Sequence, residues 1–206
     1  MKVVVASNNV NKIREMKAIL KPLGWEILSQ REAGIHVDPE ETGTTFEENS
    51  KIKAEAVMAA TGLPAIADDS GMEVDALHGA PGVYSARFGG PACPDDHARN
   101  LFLLQEMKSV PDEQRTGRFV SVITMVWPDR TVVTARGELE GTILRSLVGD
   151  GGFGYDPMFY IPSEGCTMAQ LSPERKNEIS HRAVALRRFV EKLQEEKCNA
   201  DKQTTI

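Results

Sequence analysis

The opening of the chain constrains the fold most strongly, because it reads as a strand, a loop and a helix in immediate succession. Residues 2–6, KVVVA, contain three β-branched valines in a row, which is typical of a buried strand. After SNNVNK, the segment IREMKAIL places apolar residues at helical spacing, at Ile13, Met16 and Leu20. A strand that leads directly into an amphipathic helix predicts an α/β fold.

The same alternation continues along the chain. Thr45 and Glu48 have the spacing of a capping box, which predicts a helix. This helix is expected to run from about residue 46 to residue 60, and Gly62 closes it. The segment LPAIA then predicts another strand, with DDSG as its exit.

The second half of the chain adds a hairpin and two helices. The strand-like runs RFVSVITMVW and TVVTARGELEG flank a Pro-Asp-Arg turn and predict an antiparallel hairpin. Further helices are expected after Asp95 and from about residue 180 to residue 197. Residues 1–196 are therefore expected to form a single mixed α/β domain, and residues 197–206 a flexible tail.

Composition excludes several classes of protein. The 206 residues fit one domain or two tightly joined lobes. A net charge of −6 argues against a general affinity for DNA, RNA or anionic membranes. The three cysteines, Cys93, Cys166 and Cys198, show no CxxC spacing, which suits a reducing compartment. Because the sequence shows no signal-peptide pattern and no apolar run near the ~20 residues of a membrane helix, we expect a cytoplasmic protein.

The helix predicted after Thr45 carries two polar residues on its apolar side. At ~100° per residue, Asn49 and Lys53 share a stripe with Phe46. In one interpretation Lys53 snorkels from the edge of this stripe and Asn49 bonds to a neighbouring loop. In the other, the stripe lines a pocket and Lys53 points at an anion. The residues alone leave both interpretations open.

Three more basic groups lie at predicted helix starts. Asn11 is the predicted N-cap of the first helix, which places Lys12 in a first turn, where the helix dipole disfavours a cation. Lys12 is either solvated or reaches over an anion held by the helix N–H groups. Ser180 can likewise cap the last helix, which makes His181 and Arg182 either surface residues or donors to a ligand.

Two pairs of adjacent acids supply the opposite charge. Glu40 and Glu41 lie in a loop, and Asp68 and Asp69 follow the segment LPAIA. Because Asp, Ser and Gly are common turn formers, the second pair predicts either a turn or a place where a cation binds or a reaction occurs. The four histidines show no HxxxH or HExxH spacing, so zinc is not expected. Carboxylates without His or Cys clusters instead fit Mg²⁺ shared with substrate phosphates.

A glycine-rich segment, GGFGYDP at residues 151–157, places aromatic rings and a carboxylate on flexible backbone. In one interpretation, Phe153 and Tyr155 anchor this loop to the core. In the other, a ring that stacks and the carboxylate of Asp156, which can accept from a ring N–H, form a pocket for a nucleobase.

Six segments of the chain occur in the order seen in a known family. They are SNNVNK, EETGTTFEENSKIKA, ADDSG, GAPGVYSARF, GGFGYDPMF and KNEISHRA. In these segments the chain resembles the inosine/xanthosine triphosphate pyrophosphatases, which hydrolyse deaminated purine nucleoside triphosphates to the monophosphate and pyrophosphate. The resemblance extends to about Lys192.

The resemblance implies an α/β fold with a long, curved, mixed central sheet flanked by helices, and two lobes with a nucleotide cleft between them. It also implies Mg²⁺ as cofactor, a purine nucleoside triphosphate as substrate and a homodimer, with no nucleic-acid or membrane partner. Two departures are mild: Ser7-Asn8 stands where many members have Thr-Gly, and Ser50 replaces a common alanine.

The resemblance further implies roles for individual residues. Asp69 resembles the general base, and Lys53 the second catalytic residue. The expected Mg²⁺ ligands are Glu41, Asp68 and Asp69. Triphosphate contacts are expected from Ser7, Asn8, Asn9, Lys12, Lys53 and Lys176, and Ser70 belongs to the substrate shell. Base contacts are expected from Phe153, Gly154, Tyr155, Asp156, His181 and Arg182.

Two other functions stay open at the level of sequence. A pyrophosphatase of similar fold could act on modified pyrimidine or methylated nucleotides. A regulatory module could bind nucleotides without cleaving them. The complete acid set of Glu41, Asp68 and Asp69 argues against a pure binder, which would not need a general base.

Overall fold

The computed structural model describes the backbone of residues 1–203 and the side chains of residues 1–195. Its strands are β1 (Lys2–Val5), β2 (Glu26–Ser29), β3 (Ala65–Val74), β4 (Thr116–Val126), β5 (Val132–Ile143), β6 (Phe159–Ile161) and β7 (Cys166–Thr167). Its α-helices are α1 (Val10–Leu20), α2 (Phe46–Thr61), α3 (Asp96–Glu106), α4 (Pro173–Ile179) and α5 (His181–Gln203). Within these residues, no helix has the length and apolar character required to cross a membrane.

The seven strands form one mixed sheet in the order β2-β1-β3-β4-β5-β6-β7. β1 pairs in parallel with β2 and β3, whereas β6 is antiparallel to β5 and β7. The predicted hairpin is confirmed, since β4 and β5 are neighbours and Trp127 N–H donates to Thr131 O at 3.0 Å in the turn that joins them. An open mixed sheet flanked by helices confirms the predicted α/β class.

The chain forms two compact units. The first unit contains Met1–Asp69, Ser121–Gly137 and the chain from Arg182 onward. The second unit contains Ser70–Val120 and Glu138–His181. Each unit has its own buried apolar cluster.

In the first unit, helices cover both faces of the sheet. Successive residues of a strand point to opposite faces. Val3 and Val5 therefore share a buried cluster with residues of α1 and α5. Val4 points to the other face and packs with Ala54 and Val57 of α2. The three valines that predicted a buried strand are each fully buried.

The second unit has a core of large apolar side chains. Its buried members come from strands β3 to β6, from α3 and from the loops that join them, and they include Met72, Val74, Leu103, Met107, Phe119, Ile143 and Phe159. Gly71 allows a close approach in this unit, because a Cβ at this position would lie 2.4 Å from both Gly82 O and Ser85 Oγ.

The start and end of α2 confirm the prediction from sequence. Thr45 Oγ1 accepts from Glu48 N–H at 3.1 Å, and Glu48 Oε2 accepts from Thr45 N–H at 3.2 Å. Gly62 ends the helix in the left-handed region, with φ of 65°. These contacts join residues close in sequence, which is why the local pattern reveals them.

The prediction that DDSG is the exit of a strand is wrong. β3 continues without a break to Val74, so Asp68 and Asp69 lie in its interior and are buried. β3 is a neighbour of β4 in the sheet, and pairing between these strands outweighs the local turn preference of Asp, Ser and Gly. The paired aspartates therefore do not mark a turn.

The boundaries of two helices also differ from the prediction. The N-cap of α1 is Asn9 rather than Asn11, because Asn9 Oδ1 accepts from the N–H groups of Asn11 and Lys12 at 3.0 and 3.1 Å. The backbone of α5 continues to Gln203, past the predicted end at residue 197. Residues 204–206 lie outside the described residues, and the flexible tail stays a prediction.

Candidate active site

The loop after β1 prepares one side of a charged cluster in the first unit. Ser7 Oγ accepts from Asn9 N–H at 3.1 Å, and Asn8 Oδ1 accepts from Gln30 Nε2 at 3.4 Å. The cap at Asn9 starts α1 and places Lys12 in its first turn, as predicted. The loop thus orders the backbone from which the Lys12 side chain projects.

Asp68 lies beyond the point where its parallel neighbour β1 ends. The last residue of β1, Val5, pairs with Ile66, and β3 continues past it. In open α/β sheets, ligands bind outside the carboxyl ends of the strands, and Asp68 follows the paired position by two residues. Asp68 and Asp69 thus lie past the carboxyl end of β1 but not at the end of their own strand, and their role at a functional edge stays a prediction.

Asp68 is enclosed by basic and hydroxyl groups of the first unit. Its Oδ2 lies 2.9 Å from Lys12 Nζ and 3.1 Å from an Arg182 amino nitrogen, and its Oδ1 accepts from Ser121 Oγ. Arg182 also donates to Glu15 of α1. Burial alone would raise the pKa of Asp68, but Arg182 and Lys12 outweigh it and hold this pKa well below its usual value. Asp68 is therefore an anion inside a buried charge network.

The pKa of Lys12 is shifted in the direction that disfavours its charge, whereas that of Asp68 is shifted in the direction that favours it. Burial lowers the pKa of Lys12, and the attraction of Asp68 offsets this only in part, because Lys53 and Arg182 repel the charge. The Lys12 side chain is 16% exposed. An added anion would relieve this repulsion, which fits the interpretation that Lys12 reaches toward a ligand.

Lys53 bridges two carboxylates. Its Nζ lies 2.6 Å from Asp69 Oδ1 and 3.0 Å from Glu41 Oε1, so these three residues form an acid–lysine cluster. Burial would lower the pKa of Lys53, but Asp69 and Glu41 outweigh it and raise this pKa. Since its charged end pairs with two acids and its side chain is only 14% exposed, simple snorkelling does not describe Lys53.

Asn49 behaves as the first interpretation expected. It is fully buried, and its Oδ1 accepts from Gly43 N–H at 2.9 Å, which fixes the neighbouring loop. Glu41 belongs to the same loop, two residues before Gly43. Asn49 therefore supports the acid–lysine cluster through the backbone of this loop, while its Nδ2 has no hydrogen-bond partner among the described residues.

Asp69 has a raised pKa and a buried oxygen without a hydrogen-bond partner among the described residues. Burial raises the pKa of Asp69, and Lys53 and Lys12 oppose this only in part. Its Oδ2 is buried and has no hydrogen-bond partner among the side chains of residues 1–195. A buried acceptor of this kind usually faces a water or an ion. The chemistry of the atom fits a hard cation or a polarised water.

The described residues do not by themselves form a ready metal centre. No three His, Cys, Asp or Glu side chains of the described part of the chain are arranged to hold a metal ion. The acids expected to bind Mg²⁺ instead face the lysines and Arg182. Among the three expected ligands, Asp69 has a buried oxygen without a hydrogen-bond partner among the described residues.

In the second unit, the glycine-rich loop (residues 151–157) holds Asp156 and Phe153 against Lys176. Asp156 Oδ2 accepts from Phe153 N–H at 2.9 Å and from Lys176 Nζ at 2.6 Å. Lys176 Nζ also lies 4.4 Å from the centroid of the Phe153 ring. The structure thus groups Lys176 with residues that the resemblance assigns to the base, although the resemblance assigned Lys176 itself to the triphosphate.

His181 stacks on an aromatic ring that sequence reasoning did not single out. The ring centroids of His181 and Phe119 are 4.8 Å apart, with planes inclined by 16°. Phe119 in turn contacts Phe159. Tyr155 is buried and donates to Ser85 O at 2.8 Å, so it anchors the loop to the core, while Ser70 is half-buried in β3.

Three residues of these clusters were missed from sequence: Glu15, Ser121 and Phe119. Glu15 follows Lys12 by three residues, so the helical period alone places the two on neighbouring parts of α1. Ser121 and Phe119 lie in a long strand-like run in which nothing local distinguishes them. Only their partners in the folded chain reveal their place.

Comparison with known proteins gives consistent matches over most of the chain. A profile of the Ham1 family matches residues 3–192. A protein of Thermus thermophilus named dITP/XTP pyrophosphatase is 49% identical over 191 residues, which is 93% of this chain and 91% of that protein. A protein of the same name from Desulforamulus reducens is 50% identical over 193 residues, covering 94% and 96% of the two chains.

A solved structure supports the same relationship. The Ham1 protein of Staphylococcus aureus matches with a TM-score of 0.84 and 42% sequence identity. The match covers 95% of this chain and 100% of that one.

Proposed function

The chain belongs to the Ham1 family, and from this premise we propose that it hydrolyses deaminated purine nucleoside triphosphates. ITP, dITP and XTP are the proposed substrates, and the nucleoside monophosphate and pyrophosphate are the products. The names of the relatives support this reaction, since both curated relatives described above are dITP/XTP pyrophosphatases. The same names do not favour a pyrimidine substrate or a module that binds without cleaving.

The observation that carries the proposal is the state of Asp69. Its carboxylate is buried, has a raised pKa, and keeps one oxygen without a hydrogen-bond partner among the described residues. Lys53 holds the other oxygen at 2.6 Å and so fixes the orientation of the carboxylate. A positioned carboxylate with a raised pKa suits a general base for water.

In the proposed reaction, a water oxygen attacks the α-phosphorus and pyrophosphate leaves. One P–O bond forms, the bond to the pyrophosphate oxygen breaks, and Asp69, or a water that it orients, takes the proton of the attacking water. Lys53 and Lys12 stabilise the negative charge of the triphosphate and of the leaving group. Ser7, Asn8 and Asn9 are the proposed backbone and side-chain donors to the phosphates.

Mg²⁺ is the proposed cofactor, with Asp69 as its first protein ligand. Glu41 is the second, and Asp68 stays a proposed supporting ligand, which would then share its oxygens with Lys12 and Arg182. A bound Mg²⁺ supplies positive charge that neutralises the triphosphate. The residue roles rest on the resemblance and on the donor chemistry of these acids.

The glycine-rich loop and the first residues of α5 are proposed to contact the base. Phe153 offers a ring for stacking, and Asp156 can accept from a ring N–H. His181, with Arg182 beside it in the chain, is proposed to donate to the 6-oxo group of a deaminated purine. Adenine presents an amino group at that position and leaves these donors unpaired, which costs about 1–3 kcal/mol for each lost bond.

The setting of the enzyme is also a proposal. We propose a cytoplasmic homodimer in which residues 1–196 form the catalytic domain, and the resemblance to the family is the support. Light scattering of the purified protein tests the dimer: a mass of twice 22.6 kDa is expected.

A substrate panel tests the function. The purified protein is incubated with Mg²⁺ and, separately, with ITP, XTP, dITP, GTP, ATP and TTP, and the products are identified. Rapid formation of IMP or XMP and pyrophosphate, with little cleavage of GTP or ATP, is the expected result. Cleavage of another nucleotide class contradicts the base assignment, and binding without any cleavage contradicts the enzyme and favours a sensing module.

A further inference from the structure

Gly154 is held at both of its backbone polar groups by two side chains of α3. Gly154 N–H donates to Asp96 Oδ2 at 2.7 Å, and Asn100 Nδ2 donates to Gly154 O at 3.0 Å. Asp96 and Asn100 are four residues apart on one helix, so they project from the same side of α3. One helix face therefore fixes both peptide groups that flank the Cα of a single loop residue.

The position of Gly154 makes these two hydrogen bonds important for the conformation of the loop. It lies between Phe153 and Tyr155 and has a φ of 63°, which favours glycine. A Cβ there would meet no atom within 4 Å, so glycine is present for its backbone conformation and not for lack of space. A left-handed glycine is a flexible point unless its neighbours hold it, and the two side chains of α3 do so.

Asn100 is difficult to explain as a stabilising residue alone. It is 3% exposed, and its Oδ1 has no hydrogen-bond partner among the side chains and backbone that the structure describes. A buried polar atom without a partner costs stability. An apolar residue would fill the same space without that cost, which favours a role for the bond that Asn100 does make, to Gly154 O.

We propose that Asp96 and Asn100 are positioning residues that set base selectivity by fixing the peptide groups of Gly154. This inference rests on the proposed function, in which Phe153 and Asp156 contact the base. Neither α3 side chain touches the nucleotide in this scheme. They act through the loop, where Asp156 accepts from Phe153 N–H and so passes the constraint to both base contacts.

The physical reason is that selectivity requires groups that cannot rearrange. A rigid site leaves its donors and acceptors unpaired when the wrong base enters, and that loss rejects the wrong base. A loop that moves can shift Asp156 and Phe153 to suit adenine. Loosening the loop should therefore weaken ITP binding and reduce the preference over ATP, while the chemistry at the phosphates is retained.

The test compares two variants that break the hold with two matched controls. N100D keeps the size of the side chain but places a carboxylate oxygen against Gly154 O, and D96A removes the acceptor for Gly154 N–H. D96N is the conservative variant, because its amide oxygen can still accept from that N–H. R99Q removes the contact of Arg99 with Asp96 Oδ1 at 2.6 Å and leaves Oδ2 on Gly154.

Steady-state kinetics with ITP and ATP give the first readout. For N100D and D96A, we expect KM for ITP to rise about 10-fold, kcat to stay within about twofold, and the kcat/KM preference for ITP over ATP to fall about 10-fold. D96N and R99Q should stay near wild type. Unchanged selectivity in folded N100D and D96A, or an equal loss in R99Q, overturns the proposal.

Amide hydrogen exchange of residues 152–156 gives a second readout that needs no substrate. Faster exchange in N100D and D96A than in wild type and R99Q supports the hold on the loop. Equal exchange in all four proteins would show that these side chains do not restrict the loop, whatever the kinetics show. If residues 152–156 exchange more slowly in the wild type than in N100D and D96A, but the wild type does not hydrolyse ITP, the proposed function and the selectivity role are both wrong. The contact between α3 and Gly154 is still supported in that case. D96A decides the question if N100D does not fold, since Asp96 is 49% exposed.

Discussion

At the scale of single residues, the lysines of α2 offer a matched pair. Lys53 and Lys51 lie on the same helix, but Lys53 pairs with the buried Asp69 and the half-buried Glu41, whereas Lys51 pairs on the surface with Glu55. We expect K53A to lower kcat/KM for ITP about 100-fold, because a charge that stabilises the reacting phosphates is lost. K51A should leave kcat/KM for ITP nearly unchanged and cost little stability, since a surface ion pair contributes about 0.3–0.5 kcal/mol. Kinetics of both variants, with thermal melting as a fold control, provide the measurement.

Asp69 permits a sharper prediction about the reaction itself. D69N removes the proton acceptor and keeps the shape of the side chain, so we expect kcat for ITP to fall by about 10²–10⁴-fold while nucleotide binding largely survives. D75N makes the same change at an exposed aspartate paired with Arg118 and should leave kcat unchanged. Single-turnover kinetics and calorimetric titration with ITP separate the two effects. Near-wild-type turnover of D69N would show that another group takes the proton.

At the scale of elements, Arg115 joins the end of α3 to the end of β5. Arg115 is 2% exposed, and its guanidinium donates to the carbonyls of Met107, Ile143 and Leu144 at 2.7, 2.8 and 2.9 Å. R115M should destabilise the protein by about 3 kcal/mol, because three hydrogen bonds from a charged donor are lost, although Met107 O still accepts from Val110 N–H at 3.1 Å. Arg145 is half-exposed, and R145M should cost less than about 1 kcal/mol.

Urea unfolding measures this difference. Both variants lose an arginine from the same unit and the same total charge, so the comparison isolates burial and hydrogen bonding. Equal and small losses for R115M and R145M would mean that the carbonyls find other donors, such as water, when Arg115 is absent.

The elements that sequence predicted are those fixed by local chemistry. The capping box of Thr45 and Glu48 and the turn between β4 and β5 depend on residues a few positions apart, and both predictions are confirmed. The passage of β3 through Asp68 could not be predicted in this way. It depends on pairing with β4 and on distant partners, with Ser121 lying 53 residues further along the chain.

In the candidate site, too, sequence predicted what depends on residue type and missed what depends on distant partners. Sequence identified the titratable groups, since their chemistry is visible in the residue type. It could not show that Asp68 is already neutralised by Lys12 and Arg182, or that Lys176 lies against Phe153 and Asp156. These pairings depend on residues brought together from separate segments, which no local pattern encodes.

At the scale of the whole molecule, a net charge of −6 requires that a triphosphate be attracted by local positive charge. The two aspartates of the candidate site already pair with cations of the chain: Asp68 with Lys12 and Arg182, and Asp69 with Lys53. These two carboxylates therefore do not depend on a metal for a partner of opposite charge. The proposed Mg²⁺ would instead serve the added negative charge of the nucleotide.

We therefore expect the protein to need a metal for its reaction but not for its fold. EDTA should abolish ITP hydrolysis, and excess Mg²⁺ should restore it, because the cation is needed for the triphosphate. The melting temperature without nucleotide should be almost unchanged by EDTA, because the network around Asp68 is held by residues of the chain. A ligand that stabilised the fold would instead raise the melting temperature with its concentration. A large fall in melting temperature in EDTA would make the metal structural, and activity that persists in EDTA would remove Mg²⁺ from the reaction.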